Sequence, residues 1–240
     1  MGLRTPRTHL VYALALTPFP AIADAQSPGS PGSNALRFFE AYPASDADAL
    51  LRELRPPHVG PSDRLHALSV LPETGELHPD RDERAKLSLL DAVLLYHERA
   101  RVFETKLIDV PQAVLALYER TVLLISRPAL RLLSGAELQA LVAHEIGHDF
   151  FWTDFEPTRT RHDGPGRQEL ELKCDGIAVL TLVALALDPN VLADALRKLT
   201  RFNEVLGVKA DADEYPHLIE RLRFVNALRY RILLRNRPSQ

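Results

Sequence analysis

His144, Glu145 and His148 stand in a His-Glu-x-x-His arrangement. On a helix, residues four apart project from one face, so both imidazoles can reach a single cation. Zinc suits two such nitrogens, and Glu145 beside them can take a proton from water that the metal activates. Catalytic zinc has three protein ligands and one open position, so a third ligand must come from a neighbouring element. Glu171 and Asp175 are the next acidic pair at helical spacing. Glu171 is expected to be the third ligand. Asp175, one turn later, is expected to accept the second ring N–H of a ligating histidine. Glu169 competes locally with Glu171 but lies elsewhere around the same helix. The expectation is one zinc ion per chain and no other cofactor.

The elements that must position these residues are legible in part. Ser134 followed three residues later by Glu137 forms a capping box, and Leu138, Leu141, Val142 and Ile146 then recur at helical spacing. That predicts a helix from residue 134 to about Phe151. A second long helix is expected over residues 168–187, and Asp188 with Pro189 opens another. A final helix is expected over about 215–234. Residues 83–99 fit one helix, with Leu87, Leu90, Val93 and Leu94 on one face. Residues 36–55 fit one or two helices. Residues 102–108 and 121–126 are strand candidates, whereas the pattern leaves 113–118 open between strand and helix. Residues 63–80 and 153–166 are rich in turn formers and are expected to be irregular. The fold class is therefore α+β: a mostly helical domain with a small β-sheet.

Composition narrows the function classes. The chain has 240 residues, 46% hydrophobic and 25% charged, with a formal net charge of −3. This is globular composition without the cationic excess of a nucleic-acid binder. The single cysteine cannot form an intrachain disulfide. Arg4 and Arg7, the apolar run from Leu10 to Leu16 and Ala23-Asp24-Ala25 have the layout of a cleavable signal peptide over residues 1–25. No segment reads as a transmembrane span. Residues 26–35 read as a flexible linker, 36–84 as an N-terminal helical or irregular extension, and 85–235 as the metallopeptidase domain. Residues 236–240 read as a frayed end. A periplasmic or secreted location follows, without an indication of oligomeric state.

The blocks Val122-Leu-Leu-Ile-Ser126, Ser134-Gly-Ala-Glu-Leu138, Ala143-His-Glu-Ile-Gly-His148 and Glu171-Leu-Lys-Cys-Asp175 together resemble the M48-type zinc metallopeptidases. The resemblance covers about residues 85–230. Cys174 replaces the alanine usual between the glutamate and the aspartate. Tyr215-Pro216 followed by Glu220-Arg221 stands where the family usually has His-Pro followed by Glu-Arg. The resemblance implies a zincin-like metallopeptidase domain, mostly helical with a small β-sheet, and a zinc-dependent endopeptidase acting on envelope or exported proteins. ImmA/IrrE-type peptidases also join this motif to a downstream glutamate, but they are typically cytosolic regulators.

On this reading His144, His148 and Glu171 hold zinc, and Glu145 passes a proton from water to the leaving amine. Tyr215 and Arg221 lead the candidates for stabilising the oxyanion, ahead of His162 and His217. Arg221 could equally clamp buried carboxylates. A peptide substrate could add to an exposed sheet edge, either the strand near residues 121–126 or its neighbour. The rival class is a latent or non-catalytic zinc-binding protein, such as a cell-envelope chaperone or assembly factor. Glu145 argues against it, because holding zinc needs no base.

Overall fold

The computed structural model describes residues 29–41, 47–56, 58–71, 77–208 and 215–235. The expected signal peptide and the expected frayed end lie outside them. The architecture is α+β, mostly helical with one three-stranded sheet, matching a zincin-like fold.

Two long helices form its centre, α7 (Gly135–Phe150) and α9 (Gly164–Ala184), and they pack side by side. Leu138 and Ile146 on α7 and Leu172, Ile177, Leu180 and Leu182 on α9 are almost fully buried. Apolar residues recur all around α9, as expected of a helix covered on every side. Its cover comes from α1 (Pro31–Glu40), α2 (Ala47–Leu54), α8 (Trp152–Arg161), α10 (Asn190–Val205) and α11 (Leu218–Arg235). The α7–α9 contact is close because Gly147 faces Cys174. A Cβ at position 147 would stand 2.7 Å from the Cys174 Cα. Gly176 makes similar room for the Phe39 ring of α1.

The sheet has the order β1 (Glu104–Ile108), β3 (Val122–Ser126), β2 (Leu115–Tyr118). β1 runs parallel to β3, and β2 pairs with it antiparallel as a hairpin. Alternation divides the side chains between two faces. Leu107, Leu115, Leu123 and Ile125 join the main core with α7 and α9. Ile108, Val114, Ala116, Val122 and Leu124 form a second, smaller core with Ala67 of α3 (Pro61–Val70). On the outer side of β1, the Leu77 N–H donates to the Leu107 carbonyl. The strand at 122–126, a candidate substrate edge from the sequence, is central and paired on both sides, and its neighbour β2 is the edge that lies beside α7.

Four stretches differ from the sequence expectation. Residues 31–35, read as linker, begin α1. The Ser30 hydroxyl caps it, Pro31 fits its first position, and Ala35 is fully buried against the core. Residues 61–70, read as mostly irregular, are α3, with Pro61 again at the start. The expected helix over 83–99 is broken into α4 (Arg81–Leu87), a 3-10 turn (Ser88–Leu90) and α5 (Asp91–Tyr96). It starts earlier because Asp80 and Glu83 form a reciprocal capping box. Residues 152–161, read as loose, are α8, in which Phe155 packs on the His148 ring at 4.8 Å between centroids. Tertiary packing there overrides a weak local propensity.

His97 follows α5 and is buried. Its Nε2 lies 2.8 Å from the Thr181 hydroxyl, which itself donates to the Ile177 carbonyl. Nε2 must therefore be the donor. Burial, helped by the Arg99 charge, lowers its pKa to about 3 from an ordinary 6.5. A folded-state value below the unfolded one gives stability that is complete above pH 6.5 and is lost as pH falls toward 3. The expected loss is roughly 2–3 kcal/mol at pH 4.5 relative to neutrality. Denaturant titrations of wild type and His97→Gln from pH 7 to 4.5 check this. The variant should show a shallower dependence, and identical slopes would reject the assignment.

Candidate metal centre

The Ser134 hydroxyl accepts the Glu137 N–H, and Glu137 accepts the Ser134 N–H in return. Lys198 of α10 pairs with the same glutamate at 2.8 Å. The start of α7 is thereby fixed, and two to three turns later the helix turns His144, Glu145 and His148 toward β2 and α9. One ligand atom from each lies within 4.8 Å of the others. The two rings stand 5.0 Å apart between centroids and nearly perpendicular. This cluster can hold a metal ion.

Glu171 approaches from α9. Its Oε2 lies 3.5 Å from the His144 Nε2 and its Oε1 3.8 Å from the His148 Nε2. Ligands bonded at zinc distances on a tetrahedron stand roughly 3.3–3.4 Å apart. The two approaches come from different carboxylate oxygens and are slightly longer than this, and they place Glu171 beside both imidazoles. The chemistry of the set, two imidazoles and a carboxylate, fits zinc as well.

Asp175, one turn beyond Glu171, accepts from the His144 Nδ1 at 2.9 Å. Arg221 of α11 grips Asp175 with two bonds, Nε to Oδ2 at 2.8 Å and Nη2 to Oδ1 at 2.6 Å. The guanidinium cannot accept a proton, so the Nδ1 hydrogen of His144 points at Asp175 and its Nε2 faces the cluster. Arg221 thus lies behind the histidine, clamping the aspartate. The clamp considered from the sequence is the contact found.

Buried charges set the electrostatics. Burial disfavours the Asp175 carboxylate, but the Arg221 charge outweighs it and holds the pKa at about 2. Burial also opposes ionised Glu171, and the two histidines bring it to about 2. Burial draws His148 down to about 4. His144 rises to about 9, because its bonds to Asp175 and Glu171 exceed the cost of burial. Glu145 rises to about 7 through burial first, with the Glu171 charge adding to it. A carboxylate near neutrality is suited to exchanging protons at physiological pH.

Glu145 also touches the sheet. Its Oε2 accepts the Leu117 N–H of β2 at 2.9 Å. Two further features escaped the sequence reading. Asp149, fully buried after His148, accepts from Arg99 and from Arg120, each at 2.7 Å. Arg120 also lies over the Trp152 ring. Glu119 and Arg120 both have positive φ in the β2–β3 turn, without the asparagine or glycine that usually marks one. The Asp149 pairs therefore hold the hairpin against the end of α7. An aspartate at the C-terminal end of a helix opposes the helix dipole, and that was the available signal for buried cationic partners.

The other candidates are placed as follows. Tyr215 is half-buried in the bend before α11. His162 is exposed between α8 and α9 with φ 53. His217 is exposed, and its carbonyl accepts from Glu220 and Arg221 at the start of α11. Glu169 pairs with Lys173 and Asn34 instead of the cluster. Cys174 is buried, and its thiol pKa is raised well above the ordinary range by burial.

Gly147 lies inside the motif, where α7 and α9 meet. In Gly147→Ala the new Cβ would meet both the Cα and the Cβ of Cys174 below 3.0 Å. Trimming Cys174 cannot relieve it, because the Cα remains. The helices must separate, carrying Glu171 away from the histidines. The expected cost is about 2 kcal/mol of stability. Thermal melts with and without zinc check this. An unchanged melting temperature would show that α9 yields freely.

No family model matches the chain, and no curated protein matches it.

Proposed function

We propose that the protein is a zinc-dependent peptidase holding one zinc per chain on His144, His148 and Glu171. The observation that carries this reading is the convergence of Glu145 with two imidazoles, His144 and His148, within 4.8 Å of one another. Bound there, zinc would polarise a peptide carbonyl and make water nucleophilic near neutral pH. Glu145 takes the proton of that water and returns it to the leaving amine. Asp175 orients His144, and Arg221 acts through Asp175 as a positioning residue. Tyr215 is the proposed donor to the developing oxyanion. Tyr215→Phe should lower kcat with zinc content unchanged, and an unaltered kcat removes it from the mechanism. The edge of β2 is the proposed docking site for substrate backbone, since its Leu117 amide already points at Glu145. The substrate class is exported or envelope protein, on the M48-type resemblance.

Among the described residues no helix is long and apolar enough to cross a membrane. We further propose export through residues 1–25. Mass spectrometry of protein expressed in a bacterial host should find a start near Gln26, and an intact Met1 start rejects export.

A second reading, a latent or non-catalytic zincin-like protein of the cell envelope, has one observation in its favour. Glu145 is only 8% exposed and its carboxylate is already hydrogen-bonded. Cleavage of casein and of a peptide library by zinc-loaded protein separates the two. Peptidase activity should vanish on chelation and return with zinc. A folded, zinc-loaded protein that cleaves neither would favour the second reading.

A further inference from the structure

The outward side of β2 is closed at one end by a side chain. Along this strand the residues facing β3 alternate with those facing away. Val114 faces β3: its carbonyl accepts the Ser126 N–H at 3.0 Å, and its N–H donates to the Ser126 hydroxyl. Ala113, Leu115 and Leu117 therefore turn their N–H and C=O groups outward. Leu117 does so toward Glu145. Ala113 does so toward Asn203 of α10, and both of its backbone groups are taken. The Ala113 N–H donates to the Asn203 Oδ1 at 2.9 Å, and the Asn203 Nδ2 donates to the Ala113 carbonyl at 3.0 Å. The carboxamide thus occupies the place that the backbone of an added strand would take. Asn203 is fully buried, so its carboxamide is held in place at this end of the strand. Leu115, between the two ends, is buried as well.

From these contacts, and resting on the peptidase reading above, we propose that Asn203 ends the substrate edge, so that the enzyme trims peptides near their C-termini. Leu117 and Ala113 stand four positions apart, roughly 14 Å of extended chain. A peptide added antiparallel to β2 runs from the Tyr118 end toward the Ala113 end. With the cut bond beside Glu145 and Leu117, the residues after it lie opposite Leu115 and then reach the Asn203 carboxamide. Two or three residues fit before the edge is blocked. Residues before the cut bond extend past Tyr118, away from Asn203. The reaction is ordinary hydrolysis: water adds across the peptide bond, leaving a new carboxylate and a short peptide with a free amine. A long chain cut in its interior would have to carry its C-terminal part through Asn203.

Zinc-loaded wild-type protein is incubated with peptides of one sequence, lengthened stepwise at the C-terminus, and the products are read by mass spectrometry. Released C-terminal fragments should have one to three residues at every length, the cut moving outward with the end. Asn203→Ala should release fragments of four residues or more. Its melting curve and zinc content establish that it is folded. If Asn203→Ala does not fold, the wild-type length series alone decides. C-terminal fragments of four residues or more from wild type would overturn the inference and leave the peptidase reading intact. A folded Asn203→Ala with wild-type product lengths would equally overturn it. No cleavage at any length would instead overturn the peptidase reading, and this inference with it.

Discussion

A Glu145→Gln protein is expected to keep its fold and its zinc and to lose peptide hydrolysis by at least ~100-fold. Glutamine retains an oxygen that can accept the Leu117 N–H, so the contact between α7 and β2 persists. It has no basic site for the proton of water, which is the one property removed. The substitution also relieves the burial of a charge, which already pushes Glu145 up to about 7. Stability should therefore be unchanged or slightly raised. The check is the cleavage rate per zinc atom for the variant and wild type prepared together. Equal rates would mean that Glu145 is not the base or that the activity belongs to a contaminant.

Asp175→Asn is expected to damage both stability and metal binding. Arg221 is 3% exposed, and its charge is matched by the two bonds to Asp175. Removing one partner of a buried ion pair typically costs about 3–5 kcal/mol, because the other charge is left unpaired. Zinc affinity should fall about 10- to 100-fold, because the His144 Nδ1–H loses a charged acceptor that fixes its ring. The two effects separate in a double variant. Asp175→Leu with Arg221→Met removes both charges and should regain much of the stability. It should not regain zinc affinity. Urea unfolding and competitive zinc titration measure the two quantities. Full zinc affinity in either variant would show that Asp175 has no role in orienting His144.

The parts of this structure that the sequence reveals are those set by local periodicity. The Ser134–Glu137 capping box and the apolar stripe define α7 to within a residue. The four-residue spacing of Glu171 and Asp175 puts both near His144 once α9 lies beside α7. What stayed hidden depends on partners far along the chain. The pattern left 113–118 open because its edge is completed by Asn203, ninety positions away, and by Glu145. The β2–β3 turn carries Glu119 and Arg120 at positive φ, so no turn residue announces it. Its compensation, the Arg120–Asp149 pair, exists only in the folded chain. α1 begins in a Ser-Pro-Gly run whose composition suggests a linker. The Ser30 cap and Pro31 at the helix start turn those residues into an initiation signal. Phe155 likewise makes a helix of the polar segment after the motif by packing on His148.

The central claim, a zinc ion held by His144, His148 and Glu171, is tested most directly by metal content. Zinc per folded chain is measured for wild type, His144→Ala, His148→Ala and Glu171→Ala after dialysis against a weak chelator. Wild type should retain close to one zinc per chain, as expected of two imidazoles and a carboxylate converging on one point. Each variant should lose most of it while remaining folded by circular dichroism. Full zinc occupancy in His144→Ala and His148→Ala alike would contradict the site.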